Sequence, residues 1–151
     1  MNSHESRLAE WTERTRDLGL LALRLGAAAL IWSYHMRPKL THFEEELREF
    51  PDPLGIGSPA SFALALLSEG LCSLLVAVGL LTRLSALPIV FTMLMVLLMA
   101  ARGFEGADVQ SALLYALPYG ALALTGPGRH SLDHRLRDRY SALLARFLRK
   151  A

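Results

Sequence analysis

Among 151 residues there is one cysteine, Cys72. The chain therefore forms no disulfide within itself and carries no CxxC exchange centre. It has no glycine-rich phosphate loop, no nucleic-acid-binding motif and no internal repeat. No base stands at a useful spacing from a nucleophile, which argues against hydrolytic catalysis, and no pair of histidines in the apolar segments suits a haem. Charge itself is missing over long stretches: residues 84–101 and 109–128 contain no Asp, Glu, Lys or Arg. Runs of that length match the roughly 20 helical residues that cross a hydrocarbon core of about 30 Å. With hydrophobic residues at 52%, too little polar surface remains to cover a soluble domain. The composition points to an integral membrane protein of all-α class.

Four transmembrane helices are expected, over about residues 18–36, 60–81, 86–101 and 109–125, forming a four-helix bundle. Pro38 should end or bend the first span, because the residue before a proline is pushed away from helical geometry. Pro59 and Pro88 suit the first turns of the second and third helices. Only "TRLSA" is left to connect spans two and three, a tight hairpin, and "GPG" at residues 126–128 stops the fourth. The first seventeen residues carry charges of both signs and lack the form of a secretory signal, so the first span is expected to stay uncleaved.

Counting Lys and Arg sets the orientation. Eleven fall on one side of a four-span arrangement: three in the N-terminal segment, Arg83 in the second turn, and seven beyond residue 128. Four fall on the other: Arg37, Lys39, Arg48 and Arg102. Both termini are therefore expected to be cytoplasmic, with the acidic loop "FEEELREFPDP" on the far side. Leu132, Leu136, Tyr140, Leu143, Leu144, Phe147 and Leu148 recur at helical spacing against arginines. This predicts a C-terminal amphipathic helix at residues 129–151 that can lie on anionic lipid.

Two charges fall inside the apolar segments. Arg24 lies in span one and Glu69 near the middle of span two. Each costs roughly 2.5–3.5 kcal/mol at a bilayer centre unless it is paired, and their depths are compatible, so a structural Arg24–Glu69 ion pair is expected. His35 lies three turns from Arg24 on the same side, with Lys39 a turn further if the helix survives Pro38. Gln110 opens span four at similar depth, and Tyr115 and Tyr119 line one of its faces. Arg24, His35, Lys39, Glu69, Gln110, Tyr115 and Tyr119 are thus the candidate ligand-binding residues. Their setting, a polar cluster above an apolar and aromatic bundle, suits a small molecule with a polar head, such as a quinone. No catalytic residue is indicated. His130 and His134 stand at i and i+4 without a third ligand, so no metal is expected, and no intrinsic cofactor is evident. Ala112, Ala116 and Gly120 form a small-residue ridge that allows close packing within the bundle or between protomers of a homo-oligomer.

Four stretches together resemble the DoxX family of small four-span membrane proteins. They are "LRLGAAALIWSYHMRPKL", "SEGLCSLLVAVGLLTRLSAL", the Met-rich third span, and "LALTGPGRHSLD". The likeness covers about residues 18–133. The family usually has Gly where this chain has Met36, and often a His after the third span, where this chain has "ARGFEG". The resemblance implies a multi-pass protein of the bacterial inner membrane. Some members are described as subunits of a thiosulfate:quinone oxidoreductase, and others are linked to redox-stress complexes. It thus implies a redox-associated subunit that binds a quinone or similar lipophilic molecule, with a soluble or membrane redox protein as partner. The alternative is a non-catalytic anchor or assembly partner for a soluble enzyme. If catalysis occurs, it belongs to a quinone-linked oxidoreductase complex.

Overall fold

The computed structural model describes residues 3–137, and every regular element among them is helical. The first helix, α1 (Ser3–Ile31), runs on through a π turn (Trp32–Met36) into α2 (Arg37–Thr41). Pro38 does not end it. A proline in a helix lacks an N–H and its ring crowds the carbonyl four residues back. Here the chain widens by one residue just before Pro38, and the Arg37 N–H bonds to the Trp32 carbonyl, five residues back. Pro38 then stands in the first turn of α2, where a missing donor costs little. The helix carries on to Thr41, whose hydroxyl donates to the carbonyls of Arg37 (3.1 Å) and Pro38 (2.9 Å).

After the short acidic α3 (Phe43–Glu49), residues 50–57 form a loop folded around Asp52. The second long helix is again interrupted by a π segment. It comprises α4 (Ser58–Ala65), a π stretch (Leu66–Cys72) and α5 (Ser73–Val78), with Pro59 in its first turn. It ends at Gly79, which takes the left-handed conformation (φ 74°). The Gly79 N–H bonds to Val76 O and the Leu80 N–H to Leu75 O, the paired bonds of a Schellman ending. The turn therefore occupies residues 79–81, ahead of the "TRLSA" stretch expected to form it. As a result Pro88 lies inside α6 (Thr82–Ala101) rather than in its first turn. α7 (Val109–Thr125) follows and packs along α6.

The core is drawn from α1, α5, α6 and α7. Ala86, Ile89 and Met93 of α6 meet Ala112, Tyr115, Tyr119 and Leu122 of α7, with Ala27, Ile31 and Val76 completing the cluster. These positions recur at three- and four-residue spacing, one face per helix. The opposite faces are also apolar: Leu84, Leu87, Leu94, Leu113, Leu117 and Leu124 are all exposed. Exposed apolar area on that scale marks a membrane surface. Three helical stretches are long and apolar enough to cross a bilayer: Arg7–Thr41, Ser58–Val78 and Thr82–Ala101. Val109–Thr125 is apolar but shorter. Residues 132–137 begin a further helix. The rest of the expected C-terminal amphipathic helix lies outside the described residues.

Candidate functional site

Glu69 is buried in the middle of the π stretch Leu66–Cys72, and the facing π turn Trp32–Met36 carries His35. The two π segments pack against each other. A π insertion alters the helical register locally and is often found at functional sites. Here one lies on each side of the buried carboxylate. The Trp32 indole N–H donates to Ser73 Oγ at 3.0 Å, and Ser73 Oγ in turn donates to the Gly70 carbonyl at 2.9 Å. Gly70 gives the packing its closeness: a Cβ there would lie 2.9 Å from Met36 Cε.

The partner of Glu69 is Lys39, whose ammonium donates directly to Glu69 Oε2. His35 Nδ1 lies 3.8 Å from the same oxygen. The expected Arg24–Glu69 ion pair does not form. Arg24 is fully buried beside Gly79, the left-handed cap just after α5, ten residues and so roughly 15 Å along the chain's helical path from Glu69. Continuation of the first helix past Pro38 is what brings Lys39 over Glu69. Phe50 flanks the ammonium, its ring centroid 5.5 Å from Lys39 Nζ.

Lys39, Glu69 and His35 border a cavity of about 370 Å³. Its remaining wall is mainly apolar, with Met93, Val96 and Met99 from α6 and Ala65 from α4. Two loops roof it: Phe50, Pro51, Pro53 and Leu54 on one side, and Phe104, Gly106, Ala107 and Asp108 on the other. Each loop is pinned by one carboxylate. Asp52 accepts from Ser61 Oγ (2.7 Å) and from the N–H groups of Gly57 (2.6 Å) and Ile56 (3.0 Å). These bonds, that from Ser61 foremost, hold its pKa below the ordinary value. Asp108 caps α7 through Ser111, accepting from its hydroxyl (2.6 Å) and its N–H (3.0 Å), and its pKa is lowered for the same reason.

Of the remaining candidates, Tyr115 stacks edge-on against His35 with centroids 4.8 Å apart, behind the cavity wall. Tyr119 is buried in the core, and its hydroxyl has no partner among the described residues. Gln110 is exposed and does not line the cavity. Arg24 belongs to a separate cluster at the opposite end. There Nη2 donates to the His130 carbonyl at 2.6 Å, while Nε and Nη1 find no partner among the described residues. The segment carrying His130 folds back over the α5–α6 turn. The Asp133 N–H bonds to Gly79 O (2.8 Å), and its carboxylate accepts from the N–H groups of Leu81 (2.7 Å) and Thr82 (2.9 Å). Asp133 thereby caps α6 from fifty residues away. Arg129 adds ion pairs to Glu13 and to the buried Asp17.

The DoxX family model matches residues 19–102, more than half of the chain. The chain belongs to the DoxX family. No curated protein and no solved structure matches it. Within this DoxX chain, the quoted stretches now have physical roles. "SEG" supplies the buried carboxylate and the glycine under Met36, and "GLLTR" the left-handed ending and the turn. "GRHSLD" supplies the strap that covers that turn. Asp17, Asp52 and Asp108 hold positions in the site and its supports that lie outside the candidate residues drawn from the sequence. Their signals were a lone Asp before an apolar run, an Asp between two prolines, and an Asp three residues before a Ser at a helix start.

Proposed function

We propose that this DoxX-family membrane protein holds a lipophilic small molecule with a polar head, a quinone or a compound like it, in the cavity bordered by Lys39, Glu69 and His35. The observation that carries the reading is the pairing of a mainly apolar chamber with one charged, hydrogen-bonding corner. Ligand sites are commonly built this way, apolar walls giving affinity and a few polar groups fixing orientation. The corner offers an ammonium donor, a carboxylate acceptor and an imidazole, enough to meet a carbonyl or hydroxyl on a neutral ring. The chain itself supplies no redox centre in this reading. It acts as the membrane subunit of a redox partner, presenting or protecting the guest.

The same reading takes Val109–Thr125 as a fourth span. Its 17 residues reach about 25 Å, close to the thickness of a hydrocarbon core. Both termini then face the cytoplasm and the cavity opens toward the outer half of an inner membrane. The excess of Lys and Arg on the terminal side supports this.

The test is direct. Protein purified in mild detergent is extracted with organic solvent, and the extract is analysed by mass spectrometry for quinones and related lipids. A copurifying compound is expected, retained by the wild type and lost from the double variant Lys39→Met/Glu69→Gln. An extract with no such compound, together with no thermal shift on adding quinone, would sink the reading.

A further inference from the structure

The cavity wall is not closed on its flank. Leu64, Pro88 and Phe91 border the cavity and are exposed, Leu64 at 50% and Phe91 at 49%. All three lie within helices long and apolar enough to cross a bilayer. They form a rim where the chamber meets the surface that lipid covers. Beside these residues, Ser68 and Thr92 join the two helices through a hydroxyl–hydroxyl hydrogen bond of 2.6 Å, and Thr92 also bonds to Pro88 O (3.0 Å). Both hydroxyls are satisfied within the protein, so this sill adds no unmet polar demand to the opening. The gap is apolar at its rim and ends at the Lys39–Glu69 pair inside.

We propose that the guest is a tailed amphiphile taken up sideways from the bilayer, its neutral polar head at Lys39 and Glu69 and its hydrocarbon tail leaving between α4 and α6 past Leu64 and Phe91. This rests on the cavity reading above and narrows it to a class. A tail-less compound needs only the chamber, whereas a tailed one needs the chamber and the flank together. The roof offers no comparable exit, because its loops are pinned by Asp52 and Asp108 and lie outside the helices that are apolar enough to cross a bilayer.

The experiment compares two benzoquinones with the same head group, one without a tail and one with a ten-carbon tail. Binding is measured calorimetrically to the full chain in lipid nanodiscs. Leu64→Trp and Phe91→Trp each fill the rim with a larger side chain, and Leu94→Trp, on the exposed face of α6 away from the cavity, serves as control. Comparing one probe across variants cancels its partitioning into the bilayer. The rim variants are expected to weaken the tailed probe by about tenfold or more and to leave the tail-less probe within about twofold, with the control unchanged for both. Equal binding of the tailed probe in wild type and both rim variants would overturn the flank exit, as would an equal loss of both probes. If neither probe binds the wild type, the cavity reading itself falls. Using two rim positions guards against one variant failing to fold.

Discussion

The two ends of this bundle each bury a strong cation, and they treat it in opposite ways. At one end Lys39 meets a carboxylate beside an open chamber. At the other, Arg24 is sealed under a returning strap, held by the His130 carbonyl and lying beside Gly79 at the end of α5. The carbonyls at a helix C-terminus carry partial negative charge, which suits a cation placed against them. Asp133 lies close enough to act as a counter-charge while its carboxylate is spent on capping α6. A charge closed over by backbone works as a fastener. A charge paired at the edge of a void keeps lone pairs and protons available to a guest. The contrast gives Arg24 a fastening place in the fold and supports the proposed recognition role of Lys39 and Glu69.

The largest expected effect tests the chamber end. Lys39→Met leaves Glu69 buried without its partner, and breaking a buried pair in this way costs about 3–5 kcal/mol. Adding Glu69→Gln removes the orphaned charge, so the double variant should recover most of the lost thermal stability in detergent while still failing to retain a guest. If the single and double variants are equally unstable, Lys39 and Glu69 do not act as a buried pair.

Next in size is Gly79→Ala at the fastened end. The backbone there is left-handed, and an added Cβ would stand 2.1 Å from Arg24 Nη1 and 2.5 Å from Ser131 Cβ. Strain and overpacking together should cost about 2–4 kcal/mol. Guest content per folded molecule should not change, because the cavity lies elsewhere. A variant that folds normally would show that the strap is loosely held. One that folds but loses its guest would show that the two ends are coupled.

Much of this was legible in the sequence, and the failures have physical reasons. The long apolar helices follow from composition alone, but the buried face of α6 does not: Ala86, Ile89 and Met93 face the core, while Leu84, Leu87 and Leu94 on the same helix are exposed. The two buried charges were equally visible, but their partners were not. The pairing of Arg24 with Glu69 rests on compatible depth in the two spans, and Lys39 comes into reach only if the helix survives Pro38. The π turn Trp32–Met36 lets it continue, and no periodicity argument shows where a helix will widen by one residue. Asp133 escaped for another reason. Its role depends on a contact across fifty residues, and its local sequence describes only a turn.

The smallest expected effect lies in the roof of the chamber, where the loop around Asp52 has no counterpart at the fastened end. The pKa of Asp52 is depressed in the folded chain, first by the Ser61 hydroxyl and then by the Gly57 N–H. A depressed carboxylate contributes its stability above its unfolded pKa and loses it as pH falls through the folded value. Asp52→Ala should therefore lower Tm at neutral pH. The gap from wild type should close as the solution is acidified through and below the ordinary carboxylate range. Asp108 titrates in the same direction but is present in both proteins, so the difference between the two Tm curves isolates Asp52. Curves that stay parallel down to the acid limit would mean that the loop is held by Pro51, Pro53 and the packing of Phe50 on Phe62, and that the Asp52 carboxylate adds little to the roof.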